Sequence, residues 1–237
     1  MSGWRLAGGL GIVGSLAGLC WASPEDERYS PVAPPPAIHG ALRSSLKTVR
    51  DWVEDRDFAS TSRDAQGLAA LAHLYVYLGD GHAWREKAAN LLTAGSRLSA
   101  AARNKDAAAC ARIIRECDAL LDDLARLSPG APRVEKEFKL RGGVTTWMLL
   151  LDAAYSDAKT ARDCRELEQL ALAVAEESNA ARHLRADAGW RRMFADVRQS
   201  ALDVAGRAKA DDLAGAKAAL KNVYRRCEAC HDQSRKR

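Results

Sequence analysis

Residues 212–231 read DLAGAKAALKNVYRRCEACH, and within them Leu213, Ala216, Leu220, Val223, Cys227 and Cys230 recur at alternating spacings of three and four. On an α-helix that spacing draws a single apolar stripe, the seam a helix presents to its neighbours in a bundle. Asp212 stands where an N-cap belongs. Working upstream, Phe194, Val197, Ala201, Val204 and Ala208 repeat the pattern, as do Leu167, Leu170 and Val174. Met148, Leu151, Tyr155 and Ala158 form a fourth stripe. The chain is rich in Ala, Leu, Glu, Lys and Arg and poor in aromatic residues, a composition that favours helix.

Matching stripes lie 106 residues earlier. Ala107, Cys110, Ile114, Cys117, Leu121 and Leu124 answer the last helix, and Ala88, Leu91, Leu98 and Ala102 the one before it, with Gly95 the weak member. Trp84 answers Trp190, and Asp106 answers Asp212. In the first two helices of each half an offset of 99 aligns Arg63-Asp64 with Arg162-Asp163 and sets Val49 against Met148. The expected fold is therefore all-α: two tandem antiparallel four-helix bundles related by duplication. Residues 41–128 form the first and 134–237 the second, joined by a linker at 129–133 that overlaps the Ser-Pro-Gly-Ala-Pro break of residues 128–132. Residues 23–40, with Pro24, Pro31, Pro34, Pro35 and Pro36, read as an extended tether.

The duplication fails at the end of the last helix, where Cys227-Glu228-Ala229-Cys230-His231 stands opposite Leu121, Leu124 and Ala125. C-x-x-C-H is the attachment motif for haem c: each thiol adds across one vinyl group of the porphyrin, and the adjacent imidazole becomes an axial ligand to iron. Positions i, i+3 and i+4 share one helix face, so all three side chains reach one flat cofactor. A redox C-x-x-C pair and half of a zinc site are the alternatives. The former usually opens a helix that follows a strand, and no strand precedes this one. The latter needs further close ligands, which the tail does not offer. One covalent haem is expected, in the second half only.

Residues 1–22 read as a cleavable export signal: a basic start to Arg5, an apolar run from Leu6 to Leu19, and small residues before a cut after Ala22. The run is short for a membrane span, so an uncleaved anchor is the lesser reading. Lipidation at Cys20 is disfavoured by the bulk of Leu19. A leader at one end and C-x-x-C-H at the other both point to the periplasm. The formal charge of +5 is mild and spread, which argues against nucleic acid as a partner. Arg225, Arg226 and Arg235-Lys236-Arg237 concentrate positive charge beside the motif, as a solvated tail or as a docking surface for an acidic redox partner.

On the motif and the stretch from Trp190 to His231, with its Lys209-Ala210-Asp211 turn, residues 134–233 resemble the cytochrome c′ and cytochrome c-556 family. The resemblance implies an antiparallel four-helix bundle carrying haem c in the periplasm. Members with His ligation alone bind small gases such as nitric oxide; members with a second, Met ligand carry electrons. It also implies a basic residue near the haem propionates, for which Lys159 and Arg162 are the candidates. Bundles of this type often pair through their first two helices, so a homodimer stands among the expected partners. The haem-less half is a departure from the family pattern.

The sixth ligand decides between carriage and gas binding. Met148 lies on the helix that supplies the Met ligand in the c-556 type, and thioether ligation would raise the iron potential. Core packing is its competing role. Met193 falls beside a seam. His183 is expected on an exposed side, and His39, His73 and His82 form no metal spacing. Cys110 and Cys117 sit too far apart on one helix for a disulfide and read as buried thiols, with a link to Cys164 left open. No nucleophile motif or placed acid–base pair suggests an enzyme. Electron transfer with unidentified redox partners is the leading function; binding of a diatomic gas such as nitric oxide or carbon monoxide, and docking through the first half, are the alternatives.

Overall fold

The computed structural model describes residues 28–136 and 138–235. The export signal, the lipidation and cleavage positions, the first part of the Pro-rich segment and Lys236-Arg237 lie outside them. The described chain is all-α. Its helices are α1 (Pro35–Glu54), α2 (Phe58–Tyr75), α3 (His82–Arg103), α4 (Ala107–Arg126), α5 (Val144–Thr160), α6 (Cys164–Ala181), α7 (Ala188–Lys209) and α8 (Leu213–Arg235). Among the described residues no helix is long and apolar enough to cross a membrane.

The spans of α2, α3, the start of α4 and the end of α1 all recur 106 residues later, in α6, α7, α8 and α5. So do the details that end and begin them. Asp57 and Asp163 cap α2 and α6 by accepting from Ser60 N and Glu166 N at 3.0 and 2.8 Å. Asp106 and Asp212 cap α4 and α8 in the same way, at 2.9 and 2.8 Å. The Trp84 indole donates to Tyr75 O at 3.0 Å and the Trp190 indole to Ala181 O at 2.9 Å. Lys105 and Asp211, at φ of 55° and 61°, turn the chain into the fourth helix of each half.

This corrects the offset of 99 expected for the first two helices. A shift of seven residues is about two helical turns, so it leaves the apolar face where it was, and only the caps fix the register. Met148 therefore corresponds to Leu42, Asp152 to Leu46 and Tyr155 to Val49.

α1 to α4 pack in succession, with α1 closing against α4; α5 to α8 follow in the same order, and α1 packs on α6 while α2 packs on α5. One continuous core of buried apolar side chains runs through all eight helices. Gly95, the gap in its stripe, faces Ala69, whose backbone would lie 3.1 Å from an added Cβ; the glycine lets α3 close on α2.

The Pro-rich segment is not a free tether. Pro35 opens α1, where a missing N–H costs nothing. Ahead of it, Tyr29 is fully buried. Its ring stacks on Phe138 at 3.9 Å, and its backbone pairs with Glu135 at 3.0 and 2.9 Å. The carboxylate of Glu176 on α6 accepts from Tyr29 Oη at 2.9 Å and from Val32 N and Ala33 N at 2.6 and 2.7 Å. Asn179 Nδ2 completes that set at 3.1 Å. Burial raises the Glu176 carboxyl above its usual range while these donors oppose the rise.

The connection from α4 to α5 is longer than the expected linker, running from Leu127 to Gly143. It is fastened to the α2–α3 turn by Gly81 N to Pro129 O and Arg133 N to Tyr77 O, both at 3.0 Å. Any side chain at Gly79 would strike the Pro129 carbonyl.

Candidate functional site

α8 carries the C-x-x-C-H residues in its last turns. Cys230 is buried, Cys227 half-buried and His231 exposed. Burial pushes the Cys227 thiol up to about 11, with Cys230 and Asp152 adding to the rise, and burial raises Cys230 as well. These thiols stay protonated at neutral pH. A redox-active C-x-x-C needs the opposite: a thiolate stabilised at a helix N-terminus. Among the described residues no group of His, Cys, Asp and Glu is assembled to hold a metal ion on its own.

α5 faces this segment. Burial raises the Tyr155 hydroxyl first, and Cys227, Tyr224 and Glu228 raise it further, which places it against the motif. Its ring stacks with that of Tyr224 at 5.9 Å. Met148, two turns before Tyr155, is partly buried and packs against the core. The short connections make α5 and α8 antiparallel, so Met148 falls level with the end of α8 that bears Cys230 and His231.

The seam between the two helices is loose. α5 touches α8 sparingly, whereas α1 presses along α4. Tyr224 on α8 stays 49% exposed, and Tyr155 opposite it on α5 is only partly buried. In the first half the corresponding seam is closed: Leu42, Leu46 and Val49 meet Leu121 and Leu124, all of them at most 1% exposed. Arg43 and Arg50 lace it to Asp118, at 3.6 and 2.7 Å, and Arg43 also pairs with Asp122.

Of the two basic candidates, Lys159 comes near, its Nζ 5.3 Å from the centre of the Tyr155 ring. Arg162 lies beyond the end of α5, its backbone N–H donating to Glu166 Oε2 at 2.7 Å, about 10 Å further along than Tyr155 by helix rise. The structure brings Tyr155, with Lys159 beside its ring, against Cys227, while Met148 packs on the core two turns away and Arg162 lies beyond the end of α5. Asp152 and Tyr224 belong to the seam and were not singled out by sequence reasoning. The signal was present, because Asp152 interrupts a stripe that Leu46 keeps apolar.

His183 is not on an exposed side. It is half-buried between Tyr29 and Phe138, at ring distances of 5.9 and 5.4 Å, and burial with Arg182, Arg191 and Arg198 lowers it to about 4. Cys110 and Cys117 are buried free thiols, and Cys164 is free as well. Burial raises Cys110 and takes Cys117 to about 12.

Comparison of the chain with protein-family models, with curated proteins and with solved structures gave no match.

Proposed function

We propose that the chain is an exported mono-haem c-type cytochrome that carries electrons, built as two tandem four-helix bundles with the cofactor in the second. The observation that supports this is the contrast between equivalent seams. Where α1 and α4 close with leucine and valine, α5 touches α8 sparingly, and there Asp152 and Tyr155 lie beside Cys227, with Cys230 and His231 in the next turn of α8. Haem c bound there would supply a one-electron iron couple in an apolar setting.

Cys227 and Cys230 would hold the haem through two thioether bonds. Burial raises both thiols, which disfavours thiolate-driven disulfide exchange. His231 would ligate the iron, and Met148, level with it on the facing helix, would be the second protein ligand. Tyr155 and Tyr224 would flank the group and limit water, and Lys159, over the Tyr155 ring, would meet a propionate. The periplasm follows from the leader at residues 1–22 and from the compartment in which this attachment occurs. The exposed Arg225 and Arg226 beside the motif suit an acidic redox partner.

A second reading has one observation in its favour. Met148 already packs against the core. If it keeps those contacts, the distal position stays open and a diatomic gas such as nitric oxide or carbon monoxide takes it.

Optical spectra of the purified protein under carbon monoxide test the assignment. A low-spin spectrum that ignores the gas, converted by Met148→Ala into a high-spin one that binds it, supports the carrier. A high-spin spectrum in the unaltered protein supports gas binding. A protein without any haem absorption overturns both.

A further inference from the structure

A cavity of about 260 Å³ lies where α1 and α2 meet α5 and α6, with Leu149 and Asp152 of α5 in its lining. Its floor is Glu177 on α6, which is 1% exposed. Glu177 Oε2 has no hydrogen-bond partner. A buried carboxyl oxygen left unpaired costs about 1–3 kcal/mol or more, so a native chain keeps one where something fills its lone pairs. The internal repeat sharpens the point: the position 106 residues earlier, Leu71, lines the same cavity with an apolar side chain. A leucine would have packed there. The second half carries an acid instead.

The rest of the lining defines the occupant. Asp157 borders the cavity beside Glu177, accepting from Ser44 Oγ at 2.9 Å. Asp64 and Asp152 stand further out, and the single basic residue, Arg63, is already paired with Asp64 at 2.7 Å. The field inside is therefore negative and favours a cation. A metal ion is a poor fit, because the described residues gather no multi-carboxylate ligand set. A quaternary ammonium is also a poor fit, since no aromatic ring lines the space. A primary ammonium carries three N–H donors to share between neighbouring carboxylates. The leucines in the lining, Leu71, Leu150 and Leu170, receive an alkyl chain. The volume holds a molecule of about four to eight non-hydrogen atoms, at the small end of ligand pockets.

We propose that this cavity binds a short-chain primary alkylamine, its ammonium seated on the Glu177 carboxylate beside Asp157 and its chain against these leucines.

The site has a protonation signature. Burial, then Asp157, then Glu176 push Glu177 up to about 8. The groups facing it are Asp157 and Asp152 from α5, Asp64 and Arg63 from α2 and Glu176 from its own helix; α1 contributes hydroxyls and an alanine. At pH 7 the carboxyl is mostly protonated, so an arriving ammonium displaces about one proton. At pH 9 the site is already ionised, while an alkylammonium keeps its charge. Affinity should then rise about tenfold between the two.

Calorimetric titration of the full chain with n-butylamine, with n-butanol as the neutral match, tests this. The expected result is saturable one-to-one binding of the amine, about tenfold tighter at pH 9, with proton release at pH 7 seen as a dependence on buffer ionisation heat. Butanol should give no saturable heat. Glu177→Gln should weaken the amine at least tenfold and remove the pH dependence. Ala153→Leu, at the exposed rim of the cavity, should block entry without disturbing buried packing, which keeps the test decisive if Glu177→Gln fails to fold. No saturable heat at either pH, equal binding of butanol, or undiminished binding in the folded variants overturns the proposal.

Discussion

The α1–α4 seam and the α5–α8 seam occupy equivalent places in a repeated helix arrangement, yet they solve opposite problems. The first is finished: leucines and a valine meet leucines, and arginines reach across to aspartates. The second, with Asp152 and Tyr155 beside Cys227, leaves the Tyr224 side chain nearly half exposed. A helix pair that buries its stripe needs nothing more. A pair that declines to do so while placing thiols and an imidazole along the opening is shaped for something else. The difference teaches that function here is read from where the repeat breaks.

The largest effect should come from removing the break. Cys227→Ser with Cys230→Ser should abolish covalent haem entirely while leaving far-UV helicity in place. Haem staining of a denaturing gel checks it, and a band that still stains would show that these thiols are not the attachment points.

Next in size, Glu177→Gln should change how stability depends on pH. The folded carboxyl holds its proton up to about 8, whereas the unfolded one gives it up near 4.5. Stability therefore falls as pH rises between those values and is flat above, by about 3–5 kcal/mol in all. The variant, with no proton to lose, should flatten the decline in urea midpoints measured from pH 4.5 to 9. An unaltered slope would mean that Glu177 ionises normally.

Equivalent positions should also answer unequally. Leu46→Ala empties a closed seam and should cost about 2–5 kcal/mol, whereas Asp152→Ala, at the same place in the open seam, should stay within about 0.5 kcal/mol. Equal losses in denaturant unfolding would erase the contrast. The smallest effect sharpens the repeat itself. Trp84→Phe and Trp190→Phe each delete one indole N–H bond to a carbonyl nine residues earlier, and the losses should match at about 1 kcal/mol.

Much of this was legible in the sequence because helix stripes and N-caps are local. The stripes of α3, α4, α7 and α8, the Asp106 and Asp212 caps and the paired tryptophans needed no tertiary information. The register of α1 and α2 against α5 and α6 was misread for a physical reason: offsets of 99 and 106 differ by two turns, and both keep the apolar face inward. Asp57 and Asp163 would have decided it, since a cap marks a helix start where a stripe cannot. What stayed hidden was non-local. Nothing near Tyr29 announces that its hydroxyl bonds Glu176, 147 residues away, or that a proline-rich lead will be pinned by it. The burial of Glu177 and His183 depends likewise on helices packing across the two halves. The C-x-x-C-H spacing was plain, whereas its surroundings, Asp152 and Tyr224 above all, emerge only once the seams are compared.

Intact-mass measurement of the mature protein, exported by cells that make c-type cytochromes, tests the central claim most directly. The account predicts one species heavier than the polypeptide by a single haem, the increment surviving denaturation and mapping to the peptide with Cys227 and Cys230. A mass equal to the bare polypeptide, with both thiols open to alkylation, would contradict it.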